Sequence, residues 1–378
     1  MMSFEILEGR EQLRRYYPQW EALFRSHQFE SSLSIEWTDA LLHSHLAGAT
    51  ISLIVLKDKS GIAGIVPLYT KEVHKRGVSL KSLVPVSEHF NTHSDILVKN
   101  TSYELITLLL QALSSVSARW DVFRLNRVVE NHPILATLQD VLNSSRLYHY
   151  HVIDSAPSFF IELGSDYEQY LKTVSKTVRY KLKHAPKKLQ AMGGTTFYVL
   201  RDLQQFDRAY DTIASIENRS WKTDSGSGIT ANDQQRQFYR QLFKAAAENG
   251  RLRLWILQLG DLPIAYEVGV VQGETYDSVH GSYDEEFRRV SPGTVLFGKV
   301  IEDLISEGVK QLDFFGDLFE WQQYWTDMVR RHKSVIIYNN TLKARLFYSY
   351  NCIHNRQKPG THRGLPVRIA RTVPPRQK

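Results

Sequence analysis

Apolar positions recur every three to four residues across 11–27 (EQLRRYYPQWEALFRSH) and again across 34–46 (SIEWTDALLHSHL), which predicts two amphipathic helices. Residues 51–73 (ISLIVLKDKSGIAGIVPLYTKEV) change the period: two apolar runs flank the polar turn KDKSG, the signature of a hairpin. Further helix and strand patterns follow at 102–116 and 121–128. Helices alternating with hairpin-linked strands predict an α+β fold rather than a doubly wound sheet.

A second unit is expected to start near SAPSFFIEL, with a strand over 158–163. The pattern then predicts one long helix, capped by Ser165 or Asp166, stopped by Gly193 and Gly194, and kinked or divided by Pro186 near Ala185. On it Lys172, Lys176, Arg179, Lys183 and Lys187 form a cationic stripe opposite Leu171, Val174, Val178, Leu182 and Leu189. That stripe is a solvated face or a surface for phosphates. The expected order onward is strand 195–201, helix 203–221, a polar loop, helix 234–250, then strands at 252–260, 262–273 and 275–284. A helix opening RRVSPGT, a strand at 310–316 and a segment at 324–339 complete it.

Ser291 suits the N-cap of that last helix and Pro292 its first position, so free N–H groups are expected at its start. Such an end attracts anions, Gly293 leaves room for a phosphate, and Arg288 and Arg289 add charge one loop away. Thr294 completes the expected anion loop.

Glu267 interrupts an apolar strand, where a carboxylate is costly unless paired or functional, and burial raises its pKa toward that of a useful base. In TYDSVHGSYD strict alternation sets His280, Ser282 and Asp284 on one face and Val279, Gly281 and Tyr283 on the other. Histidine ordinarily titrates in the right range for a proton relay, which makes His280 a candidate. In SEHFNTHSD, His89, Asn91, His93 and Asp95 alternate; lining an acceptor cleft between the units explains them better than a metal, since no partner ligands accompany them.

The chain of 378 residues, 42% hydrophobic, is long enough for two domains: 1–155, 156–350, and a basic tail at 351–378. No run approaches the roughly 18 apolar residues of a membrane span, and the start lacks the apolar run of a signal peptide, so a cytoplasmic protein is expected. Cys352, the single cysteine, excludes an internal disulfide. The net charge of +7 is a tail property: after Asp327 there is no acid and there are twelve Lys and Arg, leaving 35 basic against 40 acidic residues before it. The tail is a candidate for peripheral contact with anionic membrane or, less readily, tRNA, or is merely solvated.

The stretch from Tyr283 to Asp317, GSYDEEFRRVSPGTVLFGKVIEDLISEGVKQLDFFGD in context, resembles the CelD-like acyltransferases, relatives of the FemAB aminoacyltransferases that carry tandem GNAT-like domains. SKTVRYKLKHAPKKLQAMGG, ENRSWK and GIAGIVPLY are similar to further pieces of that family. Where the family has a Tyr-Lys pair after Gly-Asp, this chain has Trp321 and Gln322 in GDLFEWQQYW. The resemblance implies tandem GNAT domains, the first degenerate, each a mixed and mostly antiparallel twisted sheet flanked by helices. It also implies acyl-CoA as co-substrate, no metal, and direct attack of an amine on the thioester. The amine is expected on a cell-envelope precursor, an amino sugar or a lipid amine such as a sphingoid base. Alternatives are an aminoacyl-tRNA-dependent transferase, disfavoured because no long coiled-coil insertion is present, and a non-catalytic binding protein. For that reaction the residues offer Glu267 or His280 as base, each alternatively a structural partner, Tyr283 as the acid for the thiolate, and Asp317 to orient or deprotonate the amine or else to cap the turn after Gly316; Trp221 and Asp313 join His89 and His93 as acceptor contacts.

Overall fold

A computed structural model describes residues 2–356 apart from 28, 76, 91–93, 117–119, 146 and 317. The strands are β1 (Ser3–Glu8), β2 (Ile51–Asp58), β3 (Gly61–Lys75), β4 (Val78–Pro85), β5 (Leu97–Val98), β6 (Val122–Val129), β7 (His149–Glu162), β8 (Thr195–Leu200), β9 (Leu252–Leu259), β10 (Leu262–Gln272), β11 (Thr275–Tyr283), β12 (Gln311–Asp313) and β13 (Val329–Tyr338). They form one continuous sheet in the order β1-β2-β3-β4-β6-β13-β7-β12-β11-β10-β9-β8, with β5 added to β3.

The order contains the same motif twice. β1-β2-β3-β4-β6 and β8-β9-β10-β11-β12 each run antiparallel until the last pair, and those last pairs, β4 with β6 and β11 with β12, are parallel. A parallel neighbour needs a crossover, supplied by the Tyr103–Ser115 helix in the first half and the Pro292–Ser306 helix in the second. The halves are stitched by exchange: β7, which follows the first half, pairs with β12, and β13, at the end, pairs with β6. The fold is therefore α+β with tandem GNAT-like units, as expected.

Several elements differ from the pattern-based expectation. The helix over 165–194 is two helices, Tyr167–Thr173 capped by Asp166 and Lys176–Ala191 capped by Ser175, whose hydroxyl accepts from Val178 N. Pro186 lies inside the second helix without dividing it. The first helix also breaks, into Arg10–Arg14 and Tyr17–Ser26, because Pro18 takes an N-terminal helical position where no N–H is needed. Residues 351–356, expected in the tail, continue the Leu342–Arg356 helix; 357–378 lie outside the described residues.

The halves share a core. Trp37 of the Ile35–His43 helix packs edge-on against Phe238 (centroids 5.3 Å) and Phe315 (5.1 Å). Arg251 pairs with Glu36 beside it, so the seam between the halves is both apolar and ionic. The opposite face of the second half packs Val295, Leu296, Val300, Ile301 and Leu304 of the Pro292–Ser306 helix onto Ala265 and Tyr276 of the sheet. Among the described residues no helix is long and apolar enough to cross a membrane.

Candidate active site

β11 decides the geometry. It pairs with β12 only from Thr275 to Asp277, against Gln311 to Asp313, and then runs six more residues to Tyr283 while β12 has ended. A gap opens between the two strands. On its other edge β11 stays on β10, but with a bulge: Val268 opposes His280 and Gly269 opposes Ser278, leaving Val279 as the extra residue. Asp284 N donates to Ile264 O (2.8 Å), which fixes the hydrogen-bonded pairs at every second position and makes Glu267–Gly281 a non-bonded pair. Gly281 therefore turns both its N–H and its C=O away from β10, into the gap. Lys222 Nζ meets that carbonyl there at 2.6 Å.

The bulge also changes which side chains share a face. Alternation alone groups Ser278 with His280, yet Ser278 Oγ donates to Glu267 Oε1 (2.5 Å) whereas His280 Nδ1 lies 2.9 Å from the Tyr266 hydroxyl. Glu267 and Tyr266 are neighbours on β10 and so point to opposite faces. Glu267 is buried on the face covered by the Pro292–Ser306 helix and also accepts from Tyr276 OH (3.3 Å). Burial pushes its carboxyl up to about 7, against the pull of Ser278, Lys222 and Tyr276.

On the opposite face lies a network of which residue patterns singled out only His280. Glu217 is fully buried and accepts from Tyr266 OH (2.5 Å) and Ile229 N (3.2 Å). Lys222 Nζ is 3.4 Å from His280 Nε2, and Tyr239 packs edge-on against the imidazole. Burial, with Lys222 adding to it, holds His280 well below the usual histidine range, so the ring is neutral. A Glu five residues before a Lys in ENRSWK was the available signal, but only folding brings both to β11.

The Pro292–Ser306 helix starts differently from expectation. Ser291 is in the left-handed region (φ 54°, ψ 50°) and its side chain caps nothing; its carbonyl instead takes Thr294 N (3.1 Å) and Val295 N (3.2 Å). No partner is described for Gly293 N–H, and the Tyr283 ring packs so closely that a Cβ on Gly293 would lie 3.1 Å from its Cδ1. Beside this turn is a cleft of about 220 Å³ lined by Thr177, Tyr180, Lys181, His184, Lys188 and, from the loop, Arg289 to Ser291. Among the described residues no ion pair engages Lys181, Lys188 or Arg289.

The cleft uses a stripe of the basic helix other than the expected one. Thr177, Lys181, His184 and Lys188 face it, while Arg179 of the predicted stripe closes the preceding helix by donating to Lys172 O and Val174 O (both 2.9 Å). Arg288 is exposed beside the cleft and Thr294 makes its hydrogen bond within the turn.

The remaining expected residues are dispersed. Tyr283 is half-buried at the mouth, its phenol held above the usual range chiefly by burial. His89 is at the seam, tilted against His45 (4.9 Å) and edge-on to Phe90, with burial lowering it to about 4. Trp221 is exposed beside Lys222. Asp313 is buried in an ion pair with Arg330 and accepts from Phe315 N, and Asp277, not anticipated, stands next to it at the last paired position of β11. His93 and Asp317 lie outside the described residues.

Residues 176–323, the segment that contains the gap, the network and the cleft, match the family model described as an Acetyltransferase (GNAT) domain. The protein is a transferase of GNAT fold. A GNAT domain implies acyl-CoA as co-substrate. No curated protein matches the sequence. Among solved structures, FemX is similar at 12% identity and a TM-score of 0.61, over 92% of this chain and 99% of that one. The C-terminal domain of a putative lysylphosphatidylglycerol synthetase from Agrobacterium fabrum is similar at 10% identity and 0.55, over 89% and 96%. A conserved protein from Bacteroides thetaiotaomicron gives 9% and 0.55, over 86% and 97%. These likenesses show a shared fold and nothing further.

Proposed function

We propose that the protein moves an acyl group from acyl-CoA to a primary amine, with the thioester lying in the gap between β11 and β12. The observation that carries this reading is the Gly281 main chain, turned into that gap by the register with β10. Its N–H is oriented to hydrogen-bond a thioester oxygen and to stabilise the negative charge that develops there, as an oxyanion hole does. The diphosphate is assigned to Gly293 N–H and Arg289, and the remaining phosphate to Lys181 and Lys188 of the same cleft. Exposed Tyr180, packed on His184 (4.4 Å), offers a ring for the adenine.

Holding donor and amine in attack geometry supplies most of the acceleration, and a base adds about 10²–10⁴-fold. The CelD-like resemblance of Tyr283 to Asp317 is the support for an acceptor in the cell envelope, an amino sugar or a lipid amine. Isothermal titration of the whole chain with CoA and acetyl-CoA tests the donor: saturable one-to-one binding is expected, and no heat of binding at millimolar ligand would overturn the assignment. Thiol release from acetyl-CoA on adding glucosamine or sphingosine then tests the acceptor class.

A further inference from the structure

We propose that Lys222 is a catalytic residue, the amine that takes the acceptor's proton and returns it to the departing sulfur, and that His280, Tyr266 and Glu217 position and charge-balance it. This deepens the acyl-CoA reading and rests on it.

The first observation is place. Lys222 Nζ hydrogen-bonds Gly281 O (2.6 Å), a carbonyl that faces the gap, so the nitrogen stands beside the position assigned to the thioester. Glu267 lies on the other face of the strand, shut behind Gly281, Ser278 and Tyr276.

The second is the direction of the hydrogen bonds. The Tyr266 hydroxyl donates its one proton to Glu217 Oε2 (2.5 Å). Its 2.9 Å contact with His280 Nδ1 then requires Nδ1–H to donate to the phenol oxygen. Lys222 Nζ stands about equally far from the two ring nitrogens, 3.4 Å from Nε2 and 3.5 Å from Nδ1, and Nε2 also lies 3.4 Å from Ser227 O. The imidazole thus lies between Lys222 and the Tyr266–Glu217 pair, which hold its orientation.

The third is the surroundings. Glu217 on the preceding helix and His280 on β11 flank Lys222, Glu267 acts on it from across the strand, and the Trp221 ring is 5.9 Å away. Burial lowers the ammonium and raises Glu217, which brings their affinities for one proton together.

The step balances. Neutral Lys222 takes H⁺ from the acceptor nitrogen as that nitrogen's electron pair forms the bond to the carbonyl carbon and the π pair moves to oxygen. Return of that pair breaks the C–S bond, and the thiolate takes H⁺ from the Lys222 ammonium. Amide and CoA thiol leave with Lys222 neutral again.

The test needs no acceptor. A neutral amine beside the thioester carbon is itself a nucleophile, so with acetyl-CoA alone its nitrogen bonds to the acetyl carbon, the C–S bond breaks, and the thiolate leaves with the proton that nitrogen loses. The whole protein is incubated with acetyl-CoA between about pH 6 and 10, and acetylated peptides are quantified by mass spectrometry. Lys222 is expected to react roughly tenfold or more faster than exposed Lys172 and Lys183, and its rate to level off at a lower pH than theirs, because burial lowers its ammonium. Glu217→Gln, which removes an anion favouring the ammonium, should shift the Lys222 midpoint to lower pH. Calorimetric CoA binding without preferential Lys222 acetylation, or a Lys222 rate that follows the surface lysines, overturns the proposal alone. Absence of CoA binding overturns the acyl-CoA reading and this proposal with it.

Discussion

The carboxyl group of Glu267 fills the space in which a side chain on Gly281 would begin. Glycine at 281 therefore serves two ends: it admits a buried acid beneath the strand, and it leaves the main chain bare on the side of the gap. Gly281→Ala forces Glu267 off Ser278 and Tyr276, and overpacking of this kind costs about 1–3 kcal/mol. Urea unfolding should show that loss; unchanged stability would refute the packing.

The Glu267 carboxyl rises from an ordinary 4.5 to about 7, chiefly through burial. Between those values the folded protein holds a proton that the unfolded chain has released, so this group's contribution is most favourable below about pH 4.5 and declines as pH rises to 7, by about 3 kcal/mol at most. Glu88, Asp95 and Asp277 are pushed to about 7 in the same sense. Unfolding free energy should fall between pH 5 and 7, less steeply in Glu267→Gln; equal slopes in the two proteins would reject the assignment.

Charge reversal separates the cationic stripe that lines the cleft from the one that does not. Lys181→Glu and Lys188→Glu should each weaken CoA binding roughly tenfold at low salt and less at high salt, because exposed charges are screened. Lys172→Glu and Lys183→Glu, facing away from the cleft, should leave affinity unchanged in the same titration.

Trp37→Ala removes the ring that meets Phe238 and Phe315 across the seam, and truncating a buried Trp costs about 3–5 kcal/mol. Because that core belongs to both halves, calorimetry should show one transition moved down as a unit. Two separated transitions would mean that the halves fold independently.

Asp313 was expected to touch the acceptor, but its buried ion pair with Arg330 gives it a structural task. Asp313→Ala leaves the partly buried Arg330 guanidinium without its carboxylate, a loss of up to about 3 kcal/mol. The thermal midpoint should drop sharply while CoA affinity at low temperature is retained; lost affinity without lost stability would restore the acceptor role.

Local grammar made much of the fold legible. The hairpin of β2 and β3, the three strands β9 to β11, and the helix opened by Pro292 follow from period, turn residues and proline placement, all set within a few residues. Glu267 was legible for a related reason: an acid in an apolar strand is anomalous wherever the strand ends up. The helix break at Val174 was not, because Ser175 caps a new helix where the 3.6-residue period alone runs on.

What the sequence determined by itself was most of the helices and hairpin strands and the chemical inventory near Glu267 and Gly293, since these depend on neighbours along the chain. Tertiary structure decided which of them meet. One extra residue at Val279 sends Ser278 and His280 to opposite faces, and the end of β12 opens the gap. Lys222 and Glu217 join that strand only through the packing of separate elements, and the helix face that carries Lys181 and Lys188 gained its cleft from a loop a hundred residues later. Contacts of that range depend on how elements pack, which no local period encodes.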